Sequence, residues 1–247
     1  MTGATAGGMA GYFVTGTDTG VGKTTVSAGI LAALHRRGFT VAALKPAESG
    51  CERRGGDLVP ADGTLLRVAA GLDDLPIERI VPHRLASAVA PGVAARREGI
   101  PFSWPRVVEA RAALVARKPR LLLVEGAGGL LVPYTDDLVG ADLAARLELP
   151  LLIVARASLG TINHTLLTVF EARRRRLTVA GVILNRVVSE LGPDEASNAA
   201  EIERLGGIRV LGAVPHLPPS ARRDPAALAA AVESAFDPEL LCPVTGA

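Results

Sequence analysis

Apolar residues along this chain fall into two alternating kinds of run. Some are short and unbroken, such as "LLLV" at 121–124 and "LLIV" at 151–154. Others recur every three or four positions over ten or more residues. Unbroken runs of that length predict strands buried on both faces, and the longer periodic stretches predict helices. Read in order, "GYFVT" (11–15) is a strand that enters a glycine-rich loop. The stretch 24–37 is a helix stopping at Gly38, with His35, Arg36 and Arg37 in its last turn. A strand at 39–45 leads into a loop rich in Gly, Pro and charge (46–60), a short helix around 61–70 and a weak apolar segment at 79–85. Two helices follow, one at 91–99 with Pro91 in its first turn and one at 103–118 with Ser103 as N-cap. The remainder alternates: strand 120–129, helix 139–149, strand 150–157, helix 160–176, strand 179–186, helix 192–206, strand 209–215 and helix 224–236. This order predicts an α/β fold, a mainly parallel sheet between two helical layers. No linker, repeat or low-complexity segment divides it. Residues 1–247 are therefore expected to form one domain with a core of about 10–236 and loose tails at 1–10 and 238–247.

Composition narrows the partners. The 247 residues are 49% hydrophobic and 21% charged, with a formal net charge of +2, which gives no support to a nucleic-acid or membrane-surface role. Cys51 and Cys242 have no metal-binding spacing and read as free thiols. The first residues lack the order of a signal peptide, and no apolar run approaches the roughly 20 residues needed to cross a bilayer. A cytoplasmic location is expected.

The chemistry begins at "GTDTGVGKTT" (16–25), between a strand and a helix. Gly16, Gly20 and Gly22 let backbone N–H groups turn inward around phosphate oxygens, and the helix adds its positive end. Lys23 would reach the β- and γ-phosphates, and the Thr24 hydroxyl would hold Mg²⁺. Five residues rather than four separate Gly16 from Gly22, so the loop is a variant of the usual pattern. Glu125 follows "LLLV" at a strand end beside "GAGG", where a carboxylate faces the phosphate loop if the strands are neighbours. Lys45 ends the second strand and opens on the same crevice. Asp62 in "PADG" reads first as a helix N-cap.

Five segments in order, "YFVTGTDTGVGKT" (12–24), "LKPAESG" (44–50), "VEGAGGLLVP" (124–133), "LGTINHTLLT" (159–168) and "VILN" (182–185), resemble the dethiobiotin synthetase family over about 10–220. The resemblance implies a P-loop NTPase-like three-layer fold. It also implies a ligase that uses ATP and Mg²⁺ to close a ureido ring on 7,8-diaminononanoate with CO₂ or bicarbonate. One amine forms a carbamate, ATP phosphorylates it, and the second amine displaces phosphate. The implied catalytic residues are Lys23, Lys45 and Thr19, and the implied metal ligands are Thr24, Asp62 and Glu125. The implied nucleotide site takes in Gly20, Val21, Gly22, Thr24 and Thr25, then Gly126, Ala127 and Gly128, and Asn185 and Arg186 at the adenine. Pro215, His216 and Leu217 flank the base, with His216 where the family often has an aromatic residue. Ser49 would lie near the reacting amine. Gly160, Thr161, Ile162 and Asn163 would bind the substrate carboxylate at a helix N-terminus contributed by the other subunit of a homodimer.

Two other readings share the loop. A partitioning-type ATPase switch carries a second lysine five residues before the catalytic one, where this chain has Asp18. A cobyrinate-type amidoligase carries a further glutaminase domain, for which there is no room. His35, His83 and His164 share no metal spacing, Trp104 reads as packing, and "RRRR" (173–176) reads as a solvated helix end.

Overall fold

The computed structural model describes residues 9–189 and 195–242. Of the expected loose tails, 1–8 and 243–247 lie outside the described residues, whereas 238–242 is not loose: Pro238–Leu241 forms a short 3₁₀ helix, and Leu241 and Cys242 are buried in the core. Six strands, β1 (Ala10–Gly16), β2 (Val41–Leu44), β3 (Leu121–Gly129), β4 (Leu151–Arg156), β5 (Val179–Asn185) and β6 (Val210–Val214), form one parallel sheet in the order β6-β5-β4-β1-β3-β2. Among the described residues eight α-helices flank it: α1 (Lys23–Arg36), α2 (Ala61–Ala69), α3 (Pro91–Glu98), α4 (Trp104–Val115), α5 (Gly140–Leu147), α6 (Thr161–Arg174), α7 (Glu195–Gly206) and α8 (Pro225–Ala235). The α/β/α expectation holds, and every sequence-predicted strand and helix is present within a few residues. The first residues expected for α7, 192–194, lie outside the described residues.

The sheet is apolar because both its faces are covered. Phe13, Val14, Leu122, Val124, Leu152 and Val154 are at most 1% exposed. Helix α1 packs on α2 and α8. At Gly29 a β-carbon would lie 2.5 Å from Val232 Cγ2 and 2.7 Å from the Leu228 carbonyl oxygen, so a glycine is what lets α1 approach α8 this closely.

Strand register sets the site. Leu44 of β2 lies opposite Val124 of β3, so the next residues, Lys45 and Glu125, emerge side by side at the carboxyl end of the sheet. Val14 lies opposite Glu125, so the loop after β1 begins beside the same carboxylate. The chain leaves β1 toward β2, returns to β3 between them, and then crosses to β4 on the far side of β1. That change of direction opens a crevice above the carboxyl ends.

The stretch 46–60, expected as plain loop, is partly ordered. Glu48–Ser49 pairs in parallel with Arg84–Leu85, and Glu52–Arg54 forms a hairpin with Asp57–Val59. Both pairings join pieces too short to show a period, which is why the pattern misses them.

Candidate active site

The loop after β1 turns on Gly20 (φ 74°) and Gly22 (φ 90°), left-handed conformations that other residues adopt with difficulty. Gly22 is the N-cap of α1 and supplies no side-chain oxygen, so the first N–H groups of the helix are left for an anion. A β-carbon on Gly22 would sit 2.0 Å from Asn185 Nδ2. That amide donates to the Val21 carbonyl at 2.9 Å and so ties the loop to the end of β5. The acceptor half of the Asn185 amide takes no part in this bond, which leaves it suited to an amino group such as that of adenine.

Two lysines and three acids gather on the floor. The Lys45 ammonium, whose side chain is 5% exposed, lies 2.6 Å from Glu125 Oε1 and 2.8 Å from Asp62 Oδ2. Burial alone would lower its pKa, but Glu125, Asp62 and Glu48 outweigh that and hold it well above the ordinary lysine value. Thr24 Oγ1 donates to Glu125 Oε1 at 2.9 Å. Burial pushes Asp62 up, yet the charge and hydrogen bond of Lys45, with help from Thr24 and Lys23, bring it below the usual carboxylate value. For Lys23 burial wins over Glu125, and its pKa is lowered.

Asp62 is not the N-cap of α2. That position is Pro60, which has no capping side chain, and Asp62 sits in the first turn with its carboxylate turned to Lys45. The helix is capped from a distance by Glu48, whose Oε1 and Oε2 accept from the backbone N–H groups of Asp62 (2.9 Å) and Gly63 (2.8 Å).

Most of the sequence-predicted residues meet in one crevice of about 430 Å³. Its wall includes Thr19, Gly20, Gly22, Lys23, Thr24 and Thr25 from the loop, and Lys45, Ser49 and Asp62 from beside β2. Ala127, Gly128, Asn185, Arg186, Pro215 and Leu217 complete it, together with Glu48, Val187 and Arg222. Val21, Glu125 and Gly126 are buried behind that surface. Two expected groups are not brought to it. His216 turns to Arg222, whose Nη2 lies 3.1 Å from its Nε2, while Arg222 Nε donates to the Leu217 carbonyl at 2.8 Å. Gly160, Thr161, Ile162 and Asn163 open α6 away from this chain's own crevice; Gly160 caps the helix at φ 88° without a side-chain bond.

Three supporting residues were not found by sequence. Glu48 is one, signalled only by an acid in the loop after β2 and a helix that starts without a capping side chain. Tyr134, fully buried, accepts the Ala127 N–H on its hydroxyl at 2.8 Å and so fixes the turn after Glu125. His83, read by sequence as a histidine without metal partners, is a fastener. Its Nδ1 donates to the Pro46 carbonyl (2.9 Å) and its Nε2 accepts from the Ser103 N–H (2.8 Å), which requires a neutral ring. Burial lowers its pKa accordingly. The "RRRR" cluster is largely matched within the fold: Arg174 and Arg175 pair with Glu171, and Arg175 also with Asp142. Asp18, where a switch ATPase would carry lysine, pairs with Arg156 at 2.8 Å.

The donor set suits a hard divalent cation. Glu125 Oε2 is buried with no hydrogen-bond partner, while Oε1 of the same carboxylate accepts from the Thr24 hydroxyl and shares the Lys45 ammonium with Asp62, so the three oxygen-bearing side chains are gathered in one place.

The chain matches the family model described as "AAA domain" over residues 10–223. It is 50% identical over 215 residues to the ATP-dependent dethiobiotin synthetase BioD of Anaeromyxobacter dehalogenans (strain 2CP-C), covering 87% of this chain and 94% of that one. It is 40% identical over 209 residues to the protein of the same name from Bacillus subtilis (strain 168), covering 85% and 88%. Among solved structures it resembles a ParA family ATPase from Chlorobium tepidum (TM-score 0.51, 19% identity, 90% and 91% covered). It also resembles the MinC:MinD cell division complex of Aquifex aeolicus (TM-score 0.52, 17% identity, 88% and 85% covered). At these identities the two structures speak for the fold alone.

Proposed function

The chain belongs to the ATP-dependent dethiobiotin synthetase family, and from that premise we propose how its own residues divide the work. The reaction is ATP-dependent synthesis of dethiobiotin from 7,8-diaminononanoate and CO₂, the penultimate step of biotin biosynthesis, and the enzyme is a ligase that uses ATP and Mg²⁺. One substrate amine adds to CO₂ and loses a proton to give a carbamate. A carbamate oxygen attacks the γ-phosphorus, and ADP leaves. The second amine attacks the carbonyl carbon of the resulting anhydride; phosphate leaves with closure of the ring, and the amine's proton is lost.

Each step builds or moves negative charge, so the enzyme's task is positioning and neutralisation more than covalent help. The loop amides from Gly20 to Thr25 hold the β-phosphate, and Lys23 faces the γ-phosphate. Lys45 stabilises the carbamate and the phosphoryl group passing to it. Thr19 and Ser49 orient the amine end of the substrate. Asn185, with Arg186, Pro215 and Leu217 around it, holds the base, and Arg222 keeps the two base-side segments together. Thr24, Asp62 and Glu125 would hold Mg²⁺, which when bound neutralises the β- and γ-phosphate oxygens. The described residues act as one domain, and the two free thiols suit a reducing, cytoplasmic setting. The observation that carries the assignment is the buried Lys45 ammonium set between Glu125 and Asp62 beside the loop.

The substrate's carboxylate is met by Gly160–Asn163 of a second copy. Two features support a homodimer. The N-terminus of α6 is open, and the same region leaves Leu159 92%, Leu167 60% and Phe170 49% exposed. Phe170→Glu should shift the protein from dimer to monomer in analytical ultracentrifugation and lower turnover together with it.

The deciding experiment incubates the protein with ATP, Mg²⁺, bicarbonate and the diamine. Stoichiometric ureido product and ADP are expected. Nucleotide hydrolysis without ureido product, stimulated by DNA, would point instead to a switch ATPase.

A further inference from the structure

We propose that Glu48 is a positioning residue for the metal-binding carboxylate Asp62, acting through the backbone of α2. This deepens the reading of Asp62 as an Mg²⁺ ligand and rests on it. The geometry is a two-point grip. The segment Lys45–Glu48 reaches Asp62 twice: the Lys45 ammonium holds the side chain at 2.8 Å, and the Glu48 carboxylate holds the backbone N–H at 2.9 Å. The second carboxylate oxygen takes the next N–H, that of Gly63, at 2.8 Å.

Helix α2 has no other cap. Pro60 at its N-cap supplies no side-chain oxygen, so without Glu48 the N–H groups at its second and third positions lose their acceptors. Glu48 is itself 6% exposed and lies in the crevice wall, and a carboxylate at a helix N-terminus is favoured by the field of the helix.

Gly63 records how tight the fit is. A β-carbon there would meet Val81 Cγ2 at 2.1 Å, with Glu48 Oε2 in ordinary contact at 3.4 Å, so α2 is pressed against Val81 while its N-terminal backbone faces the Glu48 carboxylate. The Asp62 side chain, 46% exposed and turned into the crevice, takes its direction from Lys45 and the Thr24 hydroxyl on one side and from this backbone anchor on the other. A residue that orients a ligand in this way commonly changes metal affinity by about 10- to 100-fold when removed.

The test is Mn²⁺ binding to the ADP-loaded protein, followed by electron paramagnetic resonance, with Glu48→Ala, Glu48→Gln and Asp62→Ala side by side. Glu48→Ala should weaken Mn²⁺ binding by about tenfold, with metal-free ADP binding unchanged. Glu48→Gln, which keeps one acceptor, should recover part of the loss. The Mg²⁺ concentration giving half-maximal turnover should rise in the same order, while the KM for the diamine stays within twofold. If Glu48→Ala lowers only the melting temperature and Mn²⁺ binds as in the unaltered protein, Glu48 is a structural cap and the proposal fails. If Asp62→Ala also leaves Mn²⁺ binding unchanged, the reading of Asp62 as a ligand fails with it. Loss in Asp62→Ala but not in Glu48→Ala sinks the positioning role alone.

Discussion

Ion pairs stand at both ends of helix α1, and the two ends obey different rules. At its start, beside Lys23, the Lys45–Glu125 pair is nearly sealed, with side chains 5% and 1% exposed. At its finish Arg37 spreads over Glu233, Asp237 and Glu239, whose side chains are 33–56% exposed against 32% for the arginine. Buried pairs repay a large desolvation cost only with good geometry, and they add little to stability over an apolar replacement. Exposed pairs cost little and return little. Charge at the first end is therefore not there for stability, which agrees with the roles proposed for Lys45 and Glu125, and charge at the second fastens α1 to α8 and the segment behind it. Between the two ends the stabilisation comes from apolar contact along α1 and α8, which Gly29 permits.

The largest effect should come from Lys45. Lys45→Ala should cut ureido-product turnover on the order of 10²- to 10³-fold, with ATP still bound, as seen by calorimetry and product analysis. It also strands Glu125, so urea unfolding should show a loss of about 3–5 kcal/mol. The double variant Lys45→Met, Glu125→Gln should regain most of that stability while staying inactive. A double variant no more stable than the single one would mean that the pair does hold the fold, and the contrast between the ends would collapse.

Next in size, Gly29→Ala inserts a methyl against Val232 and the Leu228 carbonyl and should cost about 1–3 kcal/mol. Its turnover per folded molecule should be unaltered, because the seam lies away from the crevice.

His83 sharpens the comparison through pH. Its folded pKa is lowered, so below about pH 6.5 the unfolded chain takes up a proton that the folded chain refuses. Stability contributed by the neutral ring is present above that pH and is lost as pH falls through the window below it. His83→Asn keeps a donor for the Pro46 carbonyl and cannot charge, so its unfolding free energy should fall less steeply between pH 7 and 5.5. The smallest effect belongs to Arg37→Ala, about 1 kcal/mol or less, shrinking further in high salt and leaving turnover alone.

The same division explains what could be read from the chain. Strands such as 121–129 and helices such as 24–37 announce themselves because burial on a sheet or along a helix face imposes a period on neighbouring residues. The phosphate loop is legible because its glycines, Lys23 and Thr24 are consecutive. Lys45 and Glu125 were placed correctly because each ends an apolar run, and parallel register did the rest. Asp62 was first read as a cap because Asp before Gly at a helix start usually is one; here the capping oxygens come from Glu48, 14 and 15 residues earlier. Tyr134 under the Ala127 N–H and His83 between Pro46 and Ser103 left no local trace either. Their partners are fixed by tertiary approach, and their own neighbours look ordinary.

The bond from Asn185 to Val21 spans 164 residues, and those from Glu125 to Lys45 and Thr24 span 80 and 101. Nucleotide competence is thus a property of the whole polypeptide. The phosphate loop near the start of the chain is therefore latched only when β5, far downstream, is in place. A chain cut before Asn185 would lack the amide that ties the phosphate loop to the sheet, so such a fragment should gain no protection from ATP in limited proteolysis where the full chain does.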